Sequence, residues 1–300
     1  MSTTTLVRLN DYEHAIDELK FYLQFCSIPT EFDPWTNVVQ LHLDGLSIGL
    51  RLIALMVEFV NLPFAKDPTG DCDEEIRWIN VTFDGCDFTR DEEEEVMSTG
   101  TAHDWFCALV DRTRCFKVTN SPELVSDFLD APDIEHRAVQ RLHIEQEESL
   151  STRKYATLGN MMAWNNVQLR ELYLHLPLGE GAQLLLFSLE DAINLQELSL
   201  HDTDSSENTQ AGIIAGGIGP LIQLLQNPQN QLKKLCLPNL GLQDQHLIAL
   251  SELLPTCQIE FFDVSENMIQ SAGMMEFVRH LPRMHSLKHI RWGSNRWQGS

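Results

Sequence analysis

In residues 259–282, IEFFDVSENMIQSAGMMEFVRHLP, the spacing of apolar residues changes midway. Ile259, Phe262 and Val264 stand three and two apart, as on a short strand with one buried face, whereas Met274, Phe277, Val278 and Leu281 fall on one face of a helix. Asn267 and Gly273 lie between the two. Moved back by 27 positions (259 − 232 = 27), the segment overlies LKKLCLPNLGLQDQHLIALSELLP, which begins at Leu232. Ile259 then meets Leu232, Phe262 meets Leu235, Val264 meets Leu237 and Ile269 meets Leu242. In the helical half Met274 meets Leu247, Phe277 meets Leu250, Leu281 meets Leu254 and Pro282 meets Pro255. Agreement in two periodicities and in a closing proline marks a strand-plus-helix repeat.

The strand signature, apolar-x-x-apolar-x-apolar, recurs toward the C-terminus as Leu287, Ile290 and Trp292, with Asn295 in the position of Asn267. Toward the N-terminus it recurs from Leu195, Leu169 and Val139, and in weaker form from Thr113, Ile76 and Val38. Starts at 38, 76, 113, 139, 169, 195, 232, 259 and 287 define about nine units, and the longer intervals have room for loop insertions on one face.

These units resemble leucine-rich repeats of the ribonuclease-inhibitor-like class. Asn267 and Asn295 carry the resemblance at the asparagine position and Gly273 at the glycine before the helix; Thr203 and Leu240 replace the asparagine elsewhere, and His246 replaces the glycine. The resemblance implies an α/β solenoid, a horseshoe with parallel strands on the concave face and helices on the convex face. The physics agrees, because one strand-plus-helix unit cannot bury its apolar side alone. Residues 10–26 place Tyr12, Ile16, Leu19, Leu23 and Cys26 at helical spacing, so residues 1–37 are expected to form a helical cap and residues 38–300 the solenoid.

Composition narrows the partners. Lys plus Arg total 21 against 44 Asp plus Glu, a net charge of −23, which disfavours nucleic acid and anionic membrane and attracts basic proteins. Seven cysteines without CxxC pairs fit a reducing compartment, cytoplasmic or nuclear. The apolar stretch from Gly45 contains Arg51 and Glu58, which makes it a core helix rather than a membrane span.

Alternation on each strand sends the third, fifth and seventh residues of every unit away from the core. The third-position ladder runs Gln40, Trp78, Cys115, Arg141, Glu171, Glu197, Lys234, Phe261, His289. The fifth runs His42, Asn80, Lys117, His143, Tyr173, Ser199, Cys236, Asp263, Arg291, and the seventh includes Glu145, His175 and His201. Glu145 with the two histidines is a conceivable metal-ligand set, but parallel strands hold side chains abreast rather than converging on a point. The sequence has no GxSxG, HExxH, EF-hand or nucleotide-binding loop, so neither catalysis nor a cofactor is expected.

The expected function is therefore a non-catalytic scaffold that binds a protein on the concave face. The residues expected to contact it are Trp78, Arg141, His143, Glu171, Tyr173, His175, Glu197, His201, Lys234 and Phe261, a mixture of aromatic anchors and charges on rigid strands. The alternatives are a regulator resembling the leucine-rich GTPase activators of Ran, or the recognition part of a larger adaptor or immune-type protein.

Overall fold

A computed structural model describes residues 6–9, 38–48, 50–60, 78–88, 102–111, 113–131, 139–163, 169–179, 181–203 and 217–295. The chain divides into two compact units, Met1–Arg141 and Leu142–Ser300. Both are leucine-rich repeat solenoids of α/β type, in which short strands alternate with helices along the chain.

In the first unit the strands β1 (Leu6–Leu9), β2 (Val38–Asp44), β4 (Trp78–Asp84) and β6 (Thr113–Thr119) lie side by side in chain order and pair in parallel. Two short strands just after the turns, β3 (Ser47–Ile48) and β5 (Asp87–Phe88), form a second parallel pair. The helices are α1 (Leu50–Val60), α2 (Ala102–Asp111) and α3 (Pro122–Asp130). Phe116 holds this core together: its ring stacks on Phe128 at 4.1 Å and meets Phe83 at 5.6 Å and the edge of Phe106 at 6.3 Å.

Two features of this unit differ from the sequence reading. β1 lies within the stretch read as a cap, with Val7 opposite Leu41 and Leu9 opposite Leu43, and the helix expected over 10–26 falls outside the described residues. In β4 the register is displaced by two residues. Trp78 stands opposite Val38, not Gln40; Asn80 stands opposite both Gln40 and Cys115, and Thr82 opposite both His42 and Lys117. The unit thus begins at 78 rather than 76. A two-residue slip keeps every side chain on its own side of the sheet, so alternation alone cannot detect it.

The turn after the strand fixes the register. Gly45 and Gly85 have φ of 62° and 59°, and Asn120, Asn239, Glu266 and Ser294 adopt the same left-handed conformation at the same point of their repeats. The amide of this turn residue donates to the carbonyl of the next repeat, as in Gly45 to Asp84 and Gly85 to Thr119 at 2.8 and 2.9 Å.

In the second unit β7 (Arg141–Glu145), β8 (Glu171–Leu176), β9 (Glu197–Asp202), β10 (Lys234–Cys236), β11 (Phe261–Asp263) and β12 (His289–Arg291) follow one another in chain order. Lys234 pairs with Phe261, which is the 27-residue shift read from the sequence, and Phe261 pairs with His289. The helices are α4 (Thr152–Ala163), α5 (Gly181–Ser188), α6 (Gly219–Gln226), α7 (Asp244–Leu253) and α8 (Ser271–His280).

The core is a stack of leucines, among them Leu172, Leu198, Leu235 and the matching Phe262, all fully buried. Each such side chain contributes roughly 1.5–3 kcal/mol on burial. Asn267, also buried, closes the turn: its Oδ1 accepts from the amides of Leu240 and Leu242, and its Nδ2 donates to the carbonyls of Leu237, Val264 and Ser265. Asn295 repeats part of this pattern one turn later, accepting from Ile269 and donating to Val264 and Trp292.

Gly273 is required for a different reason. A Cβ there would stand 2.9 Å from the Cα of Asp244, whose carboxylate accepts from the amide of Gln270 just before α8. His246, in place of that glycine, is buried and accepts from the amide of Gln243 through Nδ1. On α8, Met274 and Phe277 are buried as expected, but Val278 is 51% and Leu281 36% exposed. Val278 is a third of a turn from Phe277, so it lies beyond the buried face.

Replacing Asn267 by Ala orphans buried backbone groups in two repeats and is expected to cost about 3 kcal/mol or more. Asn267→Asp keeps the acceptor, loses the donors and should fall between. Urea denaturation followed by circular dichroism measures both, and an Asn267→Ala loss below about 1 kcal/mol would contradict the bonding described.

Candidate functional site

The strand face of the second unit carries two tiers of interacting side chains. Register places Glu171, Glu197, Lys234, Phe261 and His289 in one row and Tyr173, Ser199, Cys236, Asp263 and Arg291 in the next. Ser199 is small, so the Tyr173 ring lies across β9. Its hydroxyl donates to the Glu197 carboxylate and accepts from Lys234 Nζ at 3.2 Å.

Lys234 is held from three sides. Its ammonium is 3.3 Å from Glu197 Oε2, 4.7 Å from the centroid of the Tyr173 ring and 5.7 Å from that of Phe261. Phe261 in turn lies beneath the Arg291 guanidinium at 5.3 Å and beside His289 at 6.2 Å. Burial, and then the Glu197 carboxylate, push the Tyr173 hydroxyl far above the usual phenol range, so it remains a donor at any physiological pH.

The second tier is built from imidazoles. His175 and His201 stack nearly parallel, 4.3 Å apart with 7° between planes. Glu145 Oε1 lies 3.3 Å from His175 Nδ1, and Glu266 Oε2 lies 3.9 Å from His201 Nε2. His143 joins the tiers, stacking on Tyr173 at 5.6 Å with its Nε2 3.6 Å from Glu145. Burial, and then the neighbouring His175, hold His201 below its ordinary pKa, while Glu266 acts the other way.

Of the residues expected from the sequence, His143, Tyr173, His175, Glu197, His201, Lys234 and Phe261 are joined by these contacts, and Glu171 stands beside Glu197. Trp78 belongs to the first unit, and Arg141 is the last residue of that unit. Among the described residues no group of three or more His, Cys, Asp or Glu is arranged to hold a metal ion, Glu145, His175 and His201 included.

Cys236, expected to reach the surface, is only 6% exposed, and burial pushes its thiol up to about 11. Asp263 is likewise buried, its Oδ1 accepting from the amide and hydroxyl of Ser265. Glu266 and Arg291 were not among the expected contacts. Arg291 stands in the fifth-position ladder, whereas Glu266 is the left-handed turn residue that follows the strand, a position the ladders omit. At the turn end of β9 to β12 a groove of about 560 Å³ opens between His201, Asp263, Glu266, Arg291 and Trp292.

No family model and no curated protein matches the chain. The solved structure of a leucine-rich repeat protein from Leptospira interrogans is similar over 97% of this chain and 89% of that one, at 10% identity and a TM-score of 0.29. No helix among the described residues is long and apolar enough to cross a membrane.

The depressed His201 and His246 give a signed pH dependence. For both, burial is the largest cause, so the unfolded chain binds protons more readily than the folded one. Their contribution to stability is complete above pH ~6.5 and is lost progressively as pH falls below that value. Histidine NMR titration should place both midpoints below 6.5, with Glu266→Gln lowering His201 further and His175→Asn raising it. A His201 midpoint at or above 6.5 would contradict the geometry.

Proposed function

We propose that this protein is a non-catalytic scaffold whose strand face in the second unit binds a protein partner. The observation that carries the reading is the fixed cluster of Tyr173, Glu197, Lys234 and Phe261. Tyrosine, phenylalanine and cations already locked by one another lose little side-chain freedom on binding, which is the condition for a strong interface anchor. The net charge of −23 favours a basic partner and accelerates its approach. The strand-turn-helix repeats with their buried asparagines support placement in the ribonuclease-inhibitor-like class, with β1 carrying the sheet of the 38–300 solenoid into residues 1–37 and the rest of that stretch as its cap. Buried thiols at Cys86, Cys236 and Cys257 support a reducing compartment, cytoplasmic or nuclear.

Affinity capture from cell extract tests this reading with the intact chain, a strand-face variant (Tyr173→Ala, Lys234→Ala, Phe261→Ala) and a helix-face variant (Met275→Ser, Val278→Ser). A partner is expected on the intact chain and the helix-face variant, and its affinity should fall at least about tenfold on the strand-face variant. Equal retention by the strand-face variant, once equal thermal stability has been checked, would reject the strand face as the binding site.

A further inference from the structure

The groove at the turn end of β9 to β12 is built differently from the two tiers beside it. Pro238, Ile290 and Trp292 line it beside the charged residues. The Trp292 ring is turned to the core, where it makes an edge contact with Phe277, 6.4 Å between centroids at 78°. Its charges are separated rather than paired. Arg291 and Asp263 are register partners on neighbouring strands. Yet the Arg291 guanidinium lies over Phe261, and Asp263 Oδ1 is engaged by Ser265. Glu266 projects from the turn with φ of 59° and a half-exposed side chain. His201 stands beside it, Nε2 3.9 Å from Glu266 Oε2, with its pKa lowered by burial.

The geometry points to a lysine or arginine side chain of the partner as the occupant of this groove, the cation meeting Glu266 and Asp263 and the aliphatic stem lying along Pro238. This rests on the protein-binding reading above and specifies the chemistry of the partner. Two carboxylates at the turn side outweigh one guanidinium at the strand side, and Arg291 repels a guest cation from the Phe261 side, so the guest is directed to the turn.

The test is calorimetric titration of the full chain with the capped pentapeptides Gly-Gly-Arg-Gly-Gly, its Lys counterpart, and counterparts with norleucine or Glu in the centre. Saturable binding of the Arg and Lys peptides is expected, with the norleucine and Glu peptides at least about tenfold weaker. Glu266→Gln, on the exposed turn, should weaken the Arg peptide severalfold, and Glu266→Gln with Asp263→Asn by about tenfold, whereas Met275→Ser on the exposed helix face should leave it unchanged. No saturable binding by any peptide, equal binding of the Arg and Glu peptides, or indifference to both carboxylate substitutions would each overturn the inference. A captured partner lost by the strand-face variant but retained by Glu266→Gln with Asp263→Asn would overturn the groove while leaving the strand face standing. A partner lost by neither would reject the strand-face reading itself.

Discussion

The side-chain amide of Asn267 ties the backbone of two successive repeats together, and the spacing of the strand face follows from that bond set. When a strand ends and the chain turns toward a helix, amides and carbonyls are carried into the interior without strand partners. An asparagine side chain supplies both an acceptor and two donor hydrogens, so one residue satisfies Leu240 and Leu242 on one repeat and Val264 and Ser265 on its own. With the turns fixed this way, equivalent side chains on neighbouring strands stand about 5 Å apart.

That spacing governs what the strand face offers. Five ångströms is close enough for rings to stack and for a lysine to sit between two of them. It is too regular for side chains to converge on a metal. His175 and His201 accordingly stack 4.3 Å apart, and Lys234 reaches Glu197, Tyr173 and Phe261 together. The strand face is thereby stiffened. The left-handed turn residue adds one more element, because it projects a side chain past the end of the strand; in the repeat of β11 that side chain is Glu266, and it forms one wall of the groove.

The first unit solves the same packing problem with larger pieces. Phe83, Phe106, Phe116 and Phe128 fill a space that leucines fill in the second unit. Its turns use glycine at 45 and 85, where the second unit uses Asn239, Glu266 and Ser294. Glycine adopts the left-handed conformation without strain, so these repeats form their turns without the help of a side chain.

Periodicity in the sequence determined the repeat, its 27-residue register between β10 and β11, and most of the residues that share the second unit's strand face, because burial on one side of a strand enforces alternation. It could not place β4, since a slip of two residues preserves that alternation; the repeated Asp-Gly pairs at 44–45 and 84–85 carried the answer as a turn signal rather than a hydrophobic one. Only the tertiary structure decided that Tyr173 reaches across β9 to Lys234, that Cys236 and Asp263 are buried on the outward side, and that Glu266 faces His201. These outcomes depend on the sizes and charges of neighbours one or two strands away, 61 residues along the chain for Tyr173 and Lys234, which leave no trace in its local pattern.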